Sequence, residues 1–308
     1  MDKNNIIVVG SLNMDYVIKC KRIPRKGETI KGESFSCHPG GKGANQAAAV
    51  AKLGCKPVFI GARGDDTDGK ELEESLIKDG VLTDLIISNK NTGTAHIFVN
   101  QNGDSYIVII SGANEQLTEN DVEERQEVIK NANYILLQFE TPVKTVFKTI
   151  EIANKFEKKV ILDPAPAQNI PESILKKIDH IIPNTEEINQ LTPQLNNTSL
   201  KEKARYLIDL GVKNVIVTCG EKGVNVYNKN SSFTLEPPKV DSIDTTGAGD
   251  AFAGAFVVGL NQNLSLKQAV EFAMNYAALT VTKPGAQSSY ISKEEFFNFF
   301  PGTKGVIN

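Results

Sequence analysis

Residues 199–218 run Ser199-Leu200-Lys201-Glu202-Lys203-Ala204-Arg205-Tyr206-Leu207-Ile208-Asp209-Leu210-Gly211-Val212-Lys213-Asn214-Val215-Ile216-Val217-Thr218, and the hydrophobic period changes partway along. Ser199 and Glu202 stand at the spacing of a capping box, and Leu200, Ala204, Leu207 and Ile208 share one helical face. Gly211 suits the left-handed position just past a helix end. A helix over 200–210 is therefore predicted, followed at once by a buried strand over 215–218. Short β-branched runs at 6–9, 57–61, 134–139, 160–163 and 180–183 read as further buried strands, with amphipathic stretches between most of them. Repeated strand–helix–strand units predict an α/β fold: a central, mostly parallel sheet with helices on both faces.

Two stretches break this rhythm. Residues 16–39 alternate polar and apolar side chains around Gly27 and Gly32, and 94–110 carry a hairpin signal at Asn102-Gly103. Neither offers a crossover helix, so both predict antiparallel strands inserted at about 12–39 and 94–110, forming a small sheet over one edge of the large one. Such a sheet would suit a lid; plain surface hairpins are the alternative. Without repeats, low-complexity tracts or long linkers, residues 1–308 are expected to form one domain.

Composition narrows the function classes. The chain has 308 residues, 34 Lys and Arg against 37 Asp and Glu, and no basic block, so a nucleic-acid or membrane-surface partner is not expected. Cys20, Cys37, Cys55 and Cys219 lie far apart without C-x-x-C spacing, which argues against a zinc site or a disulfide framework. Asp2-Lys3-Asn4-Asn5 leads directly into Ile6–Val9 and Gly10, an apolar run too short for a signal segment, so a cytoplasmic protein acting on a small molecule is expected.

Two glycine motifs carry the chemistry. Asp244-Thr245-Thr246-Gly247-Ala248-Gly249-Asp250 runs into a small-residue apolar helix over 251–260. Its glycines allow close backbone approach, a helix start offers N–H groups to an anion, and a carboxylate falls in the first turn. A carboxylate there repels phosphate unless it accepts a proton from an attacking hydroxyl, which makes Asp250 the candidate general base. A lone acid serving the helix dipole is the plainer alternative. The second motif, Gly40-Gly41-Lys42-Gly43-Ala44-Asn45-Gln46, opens an Ala-rich helix ending at Gly54. Its glycines can wrap a polyhydroxylated ligand, with Asn45 as donor and acceptor and Lys42 as a mobile cation. Neither motif fits G-x-G-x-x-G, and no G-K-[ST] occurs, so a Rossmann dehydrogenase or P-loop ATPase is disfavoured.

Polar residues also follow the predicted strands, where open α/β sheets hold ligands: Asn13 and Asp15, Glu140, Asp163, Asn184 and Glu187, and Thr218. For Asp163, which precedes Pro164, a turn role is the preferred explanation.

With both glycine motifs quoted, the chain resembles the ribokinase family of carbohydrate kinases. Gly40–Gln46 looks like the family's N-terminal signature and residues 244–254, D-T-T-G-A-G-D-A-F-A-G, like its C-terminal one. Gly10-Ser11-Leu12-Asn13-Met14-Asp15, Asn184-Thr185-Glu186-Glu187 and Gly285-Ala286-Gln287-Ser288-Ser289 extend the resemblance over the whole chain. It implies ATP-dependent phosphorylation of a sugar, with D-ribose at its 5-hydroxyl the leading substrate and 2-deoxyribose or another pentose the alternative. A sugar-binding sensor without catalysis is the rival from another class; an intact Asp250 argues against it. Carried over by motif, Asn13, Asp15, Gly41, Lys42, Asn45 and Glu140 would bind sugar, and Asp250 would deprotonate it. Gly247, Ala248 and Gly249 would form the anion hole. Asn184, Thr218, Gly220, Gly223 and Gly249 would hold ATP, with Asn275 nearest to the expected adenine contact, and Glu187 would organise Mg2+ through water. Oxygens of Asp244, Thr246, Thr280, Lys283, Gly285 and Ser289 would hold K+. The resemblance further implies a homodimer joined through the β lid.

Overall fold

The computed structural model describes residues 6–301; the polar lead-in read at 2–5 lies outside the described residues. The apolar run Ile6–Val9 forms β1, and its alternation divides the interior in two. Ile6 and Val8 point into one apolar cluster, Ile7 and Val9 into another on the opposite face.

The strands continue as β2 (Asn13–Lys19), β3 (Ser34–Gly40), β4 (Val58–Gly64), β5 (Leu82–Ser88), β6 (Gly93–Val99), β7 (Ser105–Ile110), β8 (Tyr134–Leu137), β9 (Lys159–Leu162), β10 (His180–Ile181), β11 (Asn214–Thr218), β12 (Val224–Asn228) and β13 (Ser232–Leu235). The helices are α1 (Lys42–Lys52), α2 (Thr67–Lys78), α3 (Glu119–Glu124), α4 (Gln126–Lys130), α5 (Val143–Lys155), α6 (Glu172–Leu175), α7 (Thr185–Leu191), α8 (Leu200–Asp209), α9 (Ala248–Asn261), α10 (Leu266–Thr280) and α11 (Lys293–Phe299). Helix α8 ends one residue before the sequence pattern predicts; its capping box is present, and Gly211 follows at φ 113°.

The large sheet has nine strands in the order β13-β12-β11-β10-β9-β8-β1-β4-β5. All pairings from β11 to β5 are parallel, and β12 and β13 add an antiparallel edge. Helices α1, α2, α9, α10 and α11 contribute to one apolar cluster, and α3 to α8 to the other. Every predicted buried strand is present, with ends shifted by up to three residues. Strands β5, β12 and β13 lie at the sheet's margins, where half-solvated residues give no continuous apolar run to recognise.

The two insertions make a separate four-stranded sheet, β3-β2-β6-β7. β2 with β3, and β6 with β7, are antiparallel pairs; the two pairs abut along β2 and β6, which run parallel. Asn102-Gly103 falls in the loop between β6 and β7, with Gly103 at φ 85°. Tyr16 on β2 donates to Asp68 Oδ2 at 2.5 Å, tying this sheet to α2. No helix among the described residues is long and apolar enough to cross a membrane.

Candidate active site

From β1 the chain builds outward to β4 and β5 on one side and later to β8 through β11 on the other. That reversal opens a crevice at the strands' C-terminal ends, where α/β sheets take ligands. β2, bearing Asn13 and Asp15, leaves β1 at this point; α1 begins there with Lys42, and Glu140 follows β8. Asn13, Lys42 and Glu140 edge a cavity of about 640 Å3 whose walls also include Asn114, Phe139 and Glu187.

The first amides of α1 are taken up by Glu140 and Ser11. Glu140 Oε2 accepts from Lys42 N–H at 3.1 Å and from Ser11 Oγ at 2.6 Å, and the Ser11 carbonyl takes the N–H of Ala44 at 2.9 Å. Gly41, at φ 88°, permits this: a Cβ there would come within 2.7 Å of Asn13 N. Gly40 serves Asp15 in the same way, since a Cβ would sit 2.2 Å from its carboxylate. Burial, and then the negative charges of Glu140 and Asp250, push Asp15 up to about 7.

Asp250 lies in the first turn of α9, 5% exposed. Both of its oxygens are held: Oδ2 accepts from Asn45 Nδ2 at 2.9 Å and Oδ1 from Gln46 Nε2 at 3.1 Å. Lys42 Nζ stands 3.8 Å from Asp250 Oδ1 and 3.7 Å from Asp163 Oδ2. Burial by itself would lower the Lys42 pKa, but Asp163, Asp250, Glu140 and Glu187 outweigh it and keep the ammonium charged. Of the residues expected to form an anion hole, Ala248 gives its N–H to Thr245 O at 3.2 Å, whereas the Gly249 α-carbon faces open space. Gly247 caps the helix at φ 73°, its carbonyl receiving Tyr290 Oη at 3.0 Å.

The remaining expected residues fall into two groups. Asn184 pairs with Thr218 across adjacent strand ends, and its side chain caps α7 by accepting from Glu186 and Glu187 N–H, both at 2.8 Å. Glu187 completes that box from the other side, and Gly220 and Gly223 form the turn after β11 at φ 57° and 87°. Asp244 binds Thr246 through N–H and hydroxyl, and Gly285 N–H at 2.8 Å, which brings the loop before α9 onto the loop after α10. Thr280 and Ser289 are buried there, whereas the Lys283 ammonium points away to Glu295 at 3.7 Å. Asn275 is half-buried on α10.

Several site residues carry no role from the sequence. Asp163, taken there for a turn residue, is buried in the cluster and accepts from Gln46 Nε2 at 2.9 Å. Burial leads in raising it to about 7, with Asp250, Glu187 and Glu140 adding and Lys42 opposing. Gln46 thus bridges two carboxylates with one amide nitrogen, while its oxygen accepts from Gln138. Gln287 donates to Asn45 Oδ1 at 3.0 Å, so Asn45 must turn its NH2 to Asp250. Gln46, Ser11 and Gln287 lay inside quoted motifs without an assigned task; Asn114 had no sequence signal.

A glycine-lined helix start with a buried carboxylate and a half-buried lysine, at the switch point of an α/β sheet, defines a sugar phosphotransferase. The family of pfkB carbohydrate kinases matches residues 3–293, and the chain belongs to it. A ribokinase of Haemophilus influenzae is 38% identical over 96% of this chain and 98% of its own length. A deoxyribokinase of Salmonella typhi is 37% identical over 95% and 97%. Among solved structures, a Thermotoga maritima ribokinase aligns with a TM-score of 0.89 at 40% identity, covering 96% of this chain and 99% of that one. An Arabidopsis thaliana ribokinase complexed with ribose and ATP aligns with a TM-score of 0.87 at 32% identity, covering 95% and 97%.

Proposed function

We propose that this kinase transfers the γ-phosphoryl group of ATP to the 5-hydroxyl of D-ribose, giving D-ribose 5-phosphate and ADP. The observation that carries this is Asp250: a buried carboxylate in the first turn of α9, beside the open Gly249 backbone and a charged Lys42. Asn13, Asp15, Gly41, Lys42, Asn45 and Glu140 bind the sugar. Asp250 takes the proton of the primary hydroxyl as its oxygen bonds to phosphorus and the bond to ADP breaks. Asn45 and Gln46 hold the carboxylate so that both oxygens keep their direction as the proton arrives. The backbone of Gly247, Ala248 and Gly249, with Lys42, balances phosphoryl charge.

ATP lies along Asn184, Thr218, Gly220, Gly223 and Gly249, with Asn275 towards the adenine. Glu187, an oxygen donor on the cavity wall, suits Mg2+ held through water, which neutralises phosphate charge when bound. The two loops joined by Asp244 and Gly285 carry the oxygens that would hold K+, those of Asp244, Thr246, Thr280, Lys283, Gly285 and Ser289. Because the Lys283 ammonium turns to Glu295, only its carbonyl would take part. The four-stranded sheet acts as a lid, and its exposed β7 joins two copies into a homodimer. A cytoplasmic location accords with four free cysteines.

Ribokinase relatives aligned over nearly the whole chain support ribose. The deoxyribokinase relative gives 2-deoxyribose the standing of a second substrate to test. Phosphorylation rates with Mg-ATP across ribose, 2-deoxyribose, arabinose, fructose and adenosine decide between them. Ribose is expected to have the highest kcat/KM; a higher value for any other sugar reassigns the substrate.

A further inference from the structure

Asn114 is 1% exposed in the short turn Gly112–Gln116 that follows β7. Its Oδ1 accepts from Leu12 N–H at 2.9 Å; its Nδ2 donates to Leu12 O at 3.2 Å and to Asn13 Oδ1 at 2.7 Å. A backbone N–H only donates and a carbonyl only accepts, so the two bonds to Leu12 allow the Asn114 amide a single orientation. Asn13 must then offer its oxygen to Asn114 and direct its NH2 elsewhere. Asn13 edges the cavity, and the contact is shut from water by Gly93, where a Cβ would come within 2.3 Å of both Asn114 Nδ2 and Asn13 Oδ1. Gly93 begins β6 and Asn114 follows β7, so both roots of that hairpin are fastened to Asn13.

We propose that Asn114 is a positioning residue that makes Asn13 a hydrogen-bond donor to the sugar. This rests on the cavity being the sugar site of the proposed kinase. Glu140 on the same wall, and Asp15 two residues further along β2, are acceptors when ionised, so a donor of fixed direction beside them orients each bridging hydroxyl, which must donate to one side and accept from the other. Freed from Asn114, the Asn13 amide samples both orientations and presents its carbonyl part of the time, opposing the hydroxyl's lone pair. An Asn114→Asp change goes further: it still accepts from Leu12 N–H but, when ionised, sets an acceptor against Leu12 O and Asn13 Oδ1, which favours the inverted orientation of the Asn13 amide.

The test is a double-mutant cycle on sugar KM, using Asn114→Ala, Asn13→Ala and the pair, with Asn114→Asp as an independent single variant. It is run with whichever sugar of the panel the unaltered enzyme phosphorylates best, so that a wrong choice of ribose and a wrong role for Asn114 give different results. Asn114→Ala and Asn114→Asp are each expected to raise sugar KM about tenfold or more, with kcat within about threefold and the KM for ATP unchanged. In the Asn13→Ala background, Asn114→Ala is expected to change sugar KM by less than about twofold. Equal fold-changes in both backgrounds, a fall in kcat matching the rise in KM, or an unchanged KM in the single variants would overturn the proposal. Retained kcat in the Asn114 single variants, and a cooperative thermal unfolding transition in the variants carrying Asn13→Ala, certify that each is folded.

Discussion

At Asp250 the neighbouring residues decide what the carboxylate can do. Asn45 and Gln46 hold its oxygens, and Lys42 Nζ stands 3.8 Å from Oδ1. Asp250→Asn keeps the volume and removes the base, so turnover is expected to fall by about 10²-fold or more while ribose still binds. Initial rates together with calorimetric sugar titration check this; near-normal turnover would take Asp250 out of the proton transfer. Asp15 gives a pH dependence. Its pKa, raised to about 7, leaves it largely protonated in mildly acid solution and a full acceptor only above neutrality. Sugar KM is therefore expected to fall as pH rises from about 6 to 8, and to lose that dependence in Asp15→Asn. The same shift has the opposite sign for stability: the folded chain holds this proton and the unfolded chain does not, so stability is lost between about 4 and 7 as pH rises. Asp15→Asn is accordingly expected to raise Tm at pH 8 even as it weakens sugar binding. Much of this set was legible because the types are few: carboxylates, an amide and a lysine within two glycine motifs. Asp163 was not, because an Asp before Pro has an adequate local explanation and only burial beside Lys42 shows another.

Among the elements, α1 and α9 matter most, because their first turns carry opposite halves of the site. They meet where Gly254 allows: a Cβ there would stand 2.7 Å from Ala49 Cβ and 2.9 Å from Gln46 O. Gly254→Ala is expected to cost about 1–3 kcal/mol of stability by overpacking. It should also reduce kcat by separating Asn45 and Gln46 from Asp250. Urea unfolding and steady-state kinetics read the two effects, and a loss of stability at unchanged kcat would show that the helix spacing does not set the geometry of the base. The helices themselves were legible from caps and periodicity, as the Ser199 and Glu202 pair of α8 shows. The marginal strands were less so, since their burial is partial and alternates irregularly.

For the molecule as a whole, the four-stranded sheet leaves a problem that a lone chain does not solve. Tyr106, Ile107, Val108, Ile109 and Ile110 on β7 are each 51–58% exposed along an edge, and Phe35 is exposed on the opposite edge strand. Such a strand invites pairing, and a second copy is the expected partner. Val108→Lys is expected to shift the sedimenting species from dimer to monomer at micromolar concentration while the chain stays folded; a wild-type monomer under the same conditions would remove the dimer. By itself the sequence determined the alternation of strands and helices, the two insertions and the residue types of the site. These depend on local periodicity, capping and turn chemistry, which neighbours a few positions apart in the chain decide. Tertiary structure alone decided that Asp163 faces Lys42, that Gln46 joins Asp163 to Asp250, and that Asn114 orients Asn13. Each of those contacts closes across about a hundred residues or more, where the direction of an amide follows from which donors and acceptors the fold has already spent.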